Sequence, residues 1–438
     1  MGTTDLIAGP FLTKLDPRGG VKGSRDPLGI QTIWIHAGRQ VIGNLTNQTT
    51  SVRDFSVLLI GIWLIQQLRE AGSSAPEAEV FLKWEQLAAY ARAHPGGQGG
   101  FRGIDRVRAT IDQGHRVPIS AEGQCQILGN QRIYGVWGLY TQAARASGLL
   151  DTDPARLAPG ARALVETQYV PALARAFGRG CSRLLGLLPQ RLWRFDLDGP
   201  DARNIADVLG EALQPAEVAF FREALLFGGP DDRTGGLQRR MIDLLEPTLA
   251  DAGFAFAPGV VRQFAREAAR RWPDDSRLAV RLHKIATLES FLAPVSELFA
   301  FLLGWDGKPP GEAAAAVASS WGAGLDWLDL EAVAALRGDL EAACRNFDTA
   351  EHWLEVARLL KGGEYEPVVE RLLAINHSVM AARSGAGPWI DVQAGKLRVR
   401  FVDERGALTE RADLPKAWRF PYFLDALRDV ARSLREAA

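Results

Sequence analysis

From about Ala202 to Met380 apolar residues recur at helical spacing almost without pause. The pattern is broken only by cap and turn signals at Gly199-Pro200, Gln214-Pro215, Gly228-Gly229-Pro230, Pro258-Gly259, Pro273-Asp274-Asp275 and Lys308-Pro309-Pro310. A chain patterned this way has to bury helix against helix. It shows no fixed repeat period of the kind a solenoid needs. The fold class expected is therefore mainly α, a multi-module helical protein with a small C-terminal β-hairpin.

The individual elements follow from the same spacing. Val52 to Glu70 reads as a helix, and its apolar run from Phe55 to Ile65 is eleven residues long, enough for a buried core helix and too short to cross a bilayer. Pro76 opens a second helix whose apolar face is Val80, Phe81, Trp84, Leu87, Ala88 and Ala91, with Glu77 and Glu79 at the positive end of its dipole. Short or moderate helices are expected over Ile104 to Asp112, Gln131 to Ser147, and from Pro159 toward Ala176. The stretch Ser276 to Leu303 is apolar around most of its circumference and should be central, with Pro294 kinking or interrupting it. Residues 1 to 30 read as an irregular arm, and Ile33, Trp34, Ile35, Val41 and Ile42 as an extended segment. Near the other end, Trp389 to Val402 alternates apolar and charged residues around Ala394-Gly395 and reads as a hairpin, followed by a closing amphipathic helix over Phe423 to Leu434. Four parts are expected: an irregular N-terminal arm (1–50), a helical module (51–198), a helical bundle (199–384), and the hairpin with its closing helix (385–438).

Composition narrows the functional classes. The 438 residues carry 51 Lys and Arg against 52 Asp and Glu, so overall charge attracts neither a polyanion nor a membrane surface. Cys125, Cys181 and Cys344 are scattered and odd in number, which fits a reducing cytoplasm rather than a disulfide or zinc framework. The opening Met1-Gly2-Thr3-Thr4-Asp5 lacks the basic and apolar regions of a signal peptide, and no membrane partner is expected.

There is no GxxxxGK[ST] phosphate loop, and Gly96-Gly97-Gln98-Gly99-Gly100 lacks its lysine. There is no GxSxG elbow. The six histidines, His36, His94, His115, His283, His352 and His377, stand singly in sequence, so a metal site could be assembled only from distant positions. Asp196-Leu197-Asp198 and Asp274-Asp275 lie at helix starts, where capping explains them. No catalytic residue, metal ligand or cofactor is implied.

The strongest local charge lies between Arg102 and Arg145, where Arg102, Arg106, Arg108, Arg116, Arg132 and Arg145 face only Asp105, Asp112 and Glu122. A solvated face is the alternative to a nucleic-acid contact. Gln131 to Ser147, Gly148-Leu149-Leu150-Asp151, Arg156-Leu157-Ala158-Pro159-Gly160 and the helix around Leu164 together resemble the winged-helix pattern of bacterial regulators over 131–170. That resemblance implies Gln131, Arg132, Gln142 and Arg145 near DNA, with Arg156 toward a wing. Asp26-Pro27-Leu28-Gly29-Ile30 with the Thr-rich stretch after it, His377 through Pro388-Trp389, Trp418, and Tyr422 to Leu434 resemble uncharacterised bacterial proteins associated with helicases and nucleases in antiphage defence clusters. Trp389, Trp418 and Tyr422 are candidate interface anchors, the alternative being that they pack the hairpin on the last helix.

By elimination the sequence points to a non-catalytic assembly or recognition subunit of a bacterial multiprotein complex. Its partners would be a helicase, nuclease or ATPase, and the complex would act on foreign DNA. The alternatives are a stand-alone winged-helix-type DNA-binding protein and an enzyme whose site is assembled from dispersed residues.

Overall fold

The computed structural model describes residues 26–94, 100–151, 156–210, 212–345, 349–383, 387–400 and 407–436. In chain order the principal elements are α1 (Ile30–Arg39), α2 (Val52–Glu70), α3 (Glu77–Ala93), α4 (Ile104–Ile111), β1 (Arg116–Ser120), α5 (Gln131–Tyr134), α6 (Val136–Ala146), β2 (Leu150–Asp151), β3 (Arg156–Leu157) and β4 (Leu192–Asp196). They continue with α7 (Pro258–Arg271), α8 (Arg277–Leu302), α9 (Leu330–Ala334), α10 (Tyr365–Ala382), β5 (Ile390–Gln393), β6 (Lys396–Val399) and α11 (Leu424–Glu436). The protein is mainly α, and its described strands form three two-stranded antiparallel sheets, β1 with β4, β2 with β3, and β5 with β6.

The chain divides into two compact units that do not follow sequence order. Unit 1 takes the chain through Gln40 and then Ala255–Tyr422, and unit 2 takes Val41–Phe254 and the chain from Phe423 onward.

Unit 1 is built on α8. Its residues from Ile285 to Val295 are buried on every side, as the apolar sequence requires. Pro294 lies inside this helix, and the helix continues past it to Leu302. Among the described residues α8 alone is long and apolar enough to cross a membrane. Its apolar window is 83% buried inside the protein, the environment of a core helix. The segment expected to be extended is the helix α1, which buries Ile30, Ile33, Trp34 and Ala37, one face at helical spacing. The hairpin β5–β6 turns through Ala394 and Gly395, both at positive φ. It packs on α10: Asn376 of α10 accepts from the amides of Trp389 and Ile390 at 2.9 and 3.2 Å and donates to Pro27 O at 2.8 Å. The outer edge of β6 bonds the 306–308 segment, with Leu397 N reaching Lys308 O and Gly307 N reaching Leu397 O, both at 2.8 Å. Phe401 and Val402, expected in the hairpin, lie outside the described residues.

Unit 2 is organised by α2, which begins and ends where the sequence predicts and is buried around nearly its whole circumference. Gly61 lets α3 cross it closely, since a Cβ there would stand 2.5 Å from the Phe81 ring and 2.8 Å from Trp84. Burial all round forces the polar residues of α2 to find partners inside. Arg53 donates to Glu217 Oε1 at 2.7 Å and to Ala212 O at 3.1 Å, Tyr169 donates its hydroxyl to the same Glu217, and the Gln214 amide donates to Glu217 Oε2 at 2.7 Å. This pair is 8% and 3% exposed, so removing one partner strands the other in a dry interior. Arg53→Met should therefore lower stability by about 3 kcal/mol in urea unfolding, and Arg53→Met with Glu217→Gln should recover part of that loss because no lone charge stays buried. A single mutant as stable as the wild type would contradict this.

Candidate functional site

The predicted nucleic-acid residues Arg102, Arg106, Arg108, Arg116, Arg132, Gln142, Arg145 and Arg156 all have exposed side chains. They stand on successive elements of unit 2: Arg102 before α4, Arg106 and Arg108 on α4, Arg116 at the start of β1, Arg132 on α5, Gln142 and Arg145 one turn apart on α6, and Arg156 on β3. Arg106 donates to Gln126 O at 2.9 Å, and Arg116 lies 3.9 Å from Asp196. Arg102, Arg108, Arg132 and Arg156 have no acidic partner among the described residues.

The helix expected over Gln131 to Ser147 is broken at Gly135, which is extended at φ −84 and ψ −174. A Cβ on Gly135 would lie 2.7 Å from the Glu85 carboxylate, and that carboxylate takes the Val136 amide at 2.6 Å, so the break is held by a side chain from α3. Gln131, placed toward DNA by the winged-helix resemblance, is fully buried instead, donating to Leu82 O at 3.0 Å and to Glu85 at 2.8 Å. After α6 the chain forms the small hairpin β2–β3, whose tip at residues 152–155 lies outside the described residues.

Tyr422, one of the three proposed interface anchors, is fully buried within unit 1, its ring 6.4 Å from Trp34 and 5.3 Å from Trp418. Its contact area is used inside the fold. Trp418 stacks also on Phe256 at 5.6 Å, and both Trp418 and Trp389 are half-buried. Glu289 of α8 sits below this cluster, accepting from the amides of Arg419 and Phe420, and burial pushes its carboxyl up to about 7.

Two arrangements could not be read from sequence. In unit 2, His94, His115 and Asp198 converge. Asp198 Oδ1 lies 3.1 Å from both His94 Nε2 and His115 Nδ1, Asp198 Oδ2 lies 3.0 Å from His115 Nδ1, and the imidazole centroids are 4.5 Å apart. The two imidazoles hold the Asp198 carboxyl below its usual range. This corrects two expectations. The histidines do not all stand singly in space, and Asp198 meets imidazoles where helix capping was expected of it, the cap residue Gly199 having no side-chain cap bond.

In unit 1, α7 and α8, joined by the turn at Pro273-Asp274-Asp275, form with α9 an open groove of about 630 Å³. Its floor is small and apolar, Ala265 and Ala269 from α7, Ala279 and Val280 from α8, Ala332 from α9 and Ala335 just after it. Val280 is 49% exposed there. Its polar lining is Arg262, Arg266, His283 and Lys284 with the hydroxyls of Ser276 and Thr287, and no acidic residue. Lys284 is held by Asp339 at 2.7 Å and Arg262 donates to Ser290 at 2.6 Å, whereas Arg266 is exposed and has no acidic partner among the described residues.

No family model, curated protein or solved structure matches the chain.

A small cavity in unit 2, lined by Asp54, Glu85, Arg92, Phe101, Arg102 and Tyr140 among others, has a volume of about 20 Å³, room for one water and for no organic substrate. Its chemistry concerns stability. Burial is the main cause that lifts the Glu85 carboxyl to about 7, against 4.5 for a free glutamate, so the native state holds a proton that the unfolded chain releases. That contribution is full below pH 4.5 and is lost as pH rises toward 7. Glu85→Gln should flatten the fall in urea midpoint between those two values, and an unchanged slope would contradict the assignment.

Proposed function

We propose that this chain is a recognition subunit of a bacterial multiprotein complex, and that the α7–α8–α9 groove seats an acidic amphipathic helix of a partner subunit. The observation that carries the reading is the pairing of an apolar floor with a rim that holds basic side chains and no acidic one. Helix-in-groove recognition uses anchors at i, i+3, i+4 and i+7, and the lining positions on α7 and α8 have the same spacing. The lining from Ser276 to Thr287 spans roughly 16 Å at about 1.5 Å per residue, three turns of a docked helix. Small residues along the floor let a partner backbone come close. The uncompensated charge of Arg266 favours carboxylates on the flank of that helix and disfavours basic ones. The partner classes drawn from the defence-cluster resemblance, a helicase, nuclease or ATPase acting on foreign DNA, remain part of this proposal.

The test is low-salt purification from the native host of the wild type, Val280→Glu and Arg266→Glu, all exposed-site variants that should keep the wild-type circular dichroism. A stoichiometric partner should accompany the wild type and be lost from both variants, and the segment released should be an acid-rich helix. A partner retained by both variants, or a lone monomer throughout, would overturn the reading.

A second reading, direct DNA contact by unit 2, is supported by the exposure of Arg102, Arg108, Arg132 and Arg156 without acidic partners. Charge reversal at Arg106, Arg108, Arg132 and Arg145 should abolish salt-dependent binding of duplex DNA in a filter or anisotropy assay, and unchanged binding would remove this reading.

A further inference from the structure

We infer that His94, His115 and Asp198 form a binding site for a divalent first-row transition metal ion of the zinc class, with coordination positions left open to solvent. The argument begins with backbone placement. β1 and β4 pair antiparallel with Arg116 opposite Asp196, and the Leu197 amide continues the ladder by donating to His115 O at 2.8 Å. His115 and Asp198 therefore leave the same end of one small sheet. Asp196 Oδ1 then accepts from the Asp198 amide at 3.1 Å and sets the turn that aims the Asp198 side chain. The third residue is brought by α3, whose final turn ends in His94.

Distances and chemistry agree with coordination. Metal–nitrogen and metal–oxygen bonds of about 2.0–2.2 Å place the donors of a tetrahedral site roughly 3.3 Å apart. Here the donor atoms stand 3.0 to 3.1 Å apart across the carboxylate, and all three lie within 4.8 Å of one another. Two imidazoles and a carboxylate suit zinc, cobalt, nickel, copper or iron rather than magnesium or calcium, which favour oxygen donors throughout. The local field also favours a cation. His94 caps the C-terminal, negative end of the 17-residue α3, and Asp196 lies within two residues of Asp198. The neighbouring cation Arg116 is turned to Asp196, 3.9 Å away.

Burial grades across the set. The His94 side chain is 11% exposed, His115 48% and Asp198 66%, so one imidazole is fixed by packing and the outer donors face water. Three protein donors with an open outer side describe an exchangeable site, in contrast to the closed four-ligand cage of a structural zinc. Because the donors come from α3 and from the β1–β4 sheet, an ion would tie these elements of unit 2 together. The folded protein would be stabilised in proportion to the logarithm of metal concentration.

The experiment uses the full chain freed of any affinity tag, titrated with cobalt(II) and, in competition, zinc(II). Expected are one equivalent of bound cobalt with visible d–d absorption, displacement by zinc but not by magnesium, and a melting temperature that climbs with zinc concentration. His115→Ala and Asp198→Ala, both at exposed positions, should fold as the wild type does by circular dichroism and weaken binding on the order of a hundredfold. His352→Ala should bind as the wild type. Absence of stoichiometric cobalt binding, or binding undiminished in His115→Ala and Asp198→Ala, would overturn the inference.

Discussion

Unit 1 depends on the need of α8 to be covered. A helix that is apolar around its circumference gains free energy only where neighbours remove every face from water, and from Ile285 to Val295 this is achieved. The single charge in that stretch, Glu289, is taken up by backbone amides of the segment that carries Trp418 and Tyr422, so even the polar exception binds a neighbour. Toward its N-terminus the same helix buries only Leu278 and Leu282, and the opposite face, with Ala279, Val280 and His283, lies open in the groove. The groove is thus the part of a core helix whose covering is incomplete. An exposed apolar surface rimmed by charge on an otherwise well-covered helix is the feature on which the proposed partner contact rests.

Unit 2 solves the same problem around α2 with a different outcome. There the coverage is nearly complete, and several polar residues that α2 carries inward are matched by partners, Arg53 with Glu217, Ser56 with Tyr169 at 2.9 Å, and Asp54 with Arg92 at 2.8 Å. Asn44 and Gln238 add a second buried set, bonded to each other at 2.8 Å and to the carbonyl of Leu225. Such networks fix register because each member is costly to leave unpaired. The surface of unit 2 carries arginines without acidic partners and the histidine–aspartate cluster, beside the exposed apolar side chains of Ile133, Tyr134 and Leu192.

Where the energy of an element lies within its own sequence, it could be read. α2, α3 and α8 announce themselves by apolar spacing, and the β5–β6 hairpin by alternation around Ala394-Gly395. α1 carries a helical signal, since Ile30, Ile33, Trp34 and Ala37 keep helical spacing, but its β-branched residues suit a strand equally. The break at Gly135 depends on a carboxylate from α3, and the β1–β4 pairing joins segments far apart in sequence, so neither has a local signature. The same holds for both sites. His94, His115 and Asp198 each look incidental until the sheet and α3 bring them together. The alanines of the groove read as good helix formers, and nothing in their spacing says which of them form a floor.

The central claim is that the open face of α8 is a seat for an acidic helix, and it can be probed at a single position. A photo-reactive benzoylphenylalanine placed at Val280 in the host cell reports which chain lies within a few ångströms of the groove. The account predicts a single 1:1 adduct whose cross-linked peptide is amphipathic and acid-rich. Adducts to a basic segment, to this chain alone, or to no protein at all would contradict it.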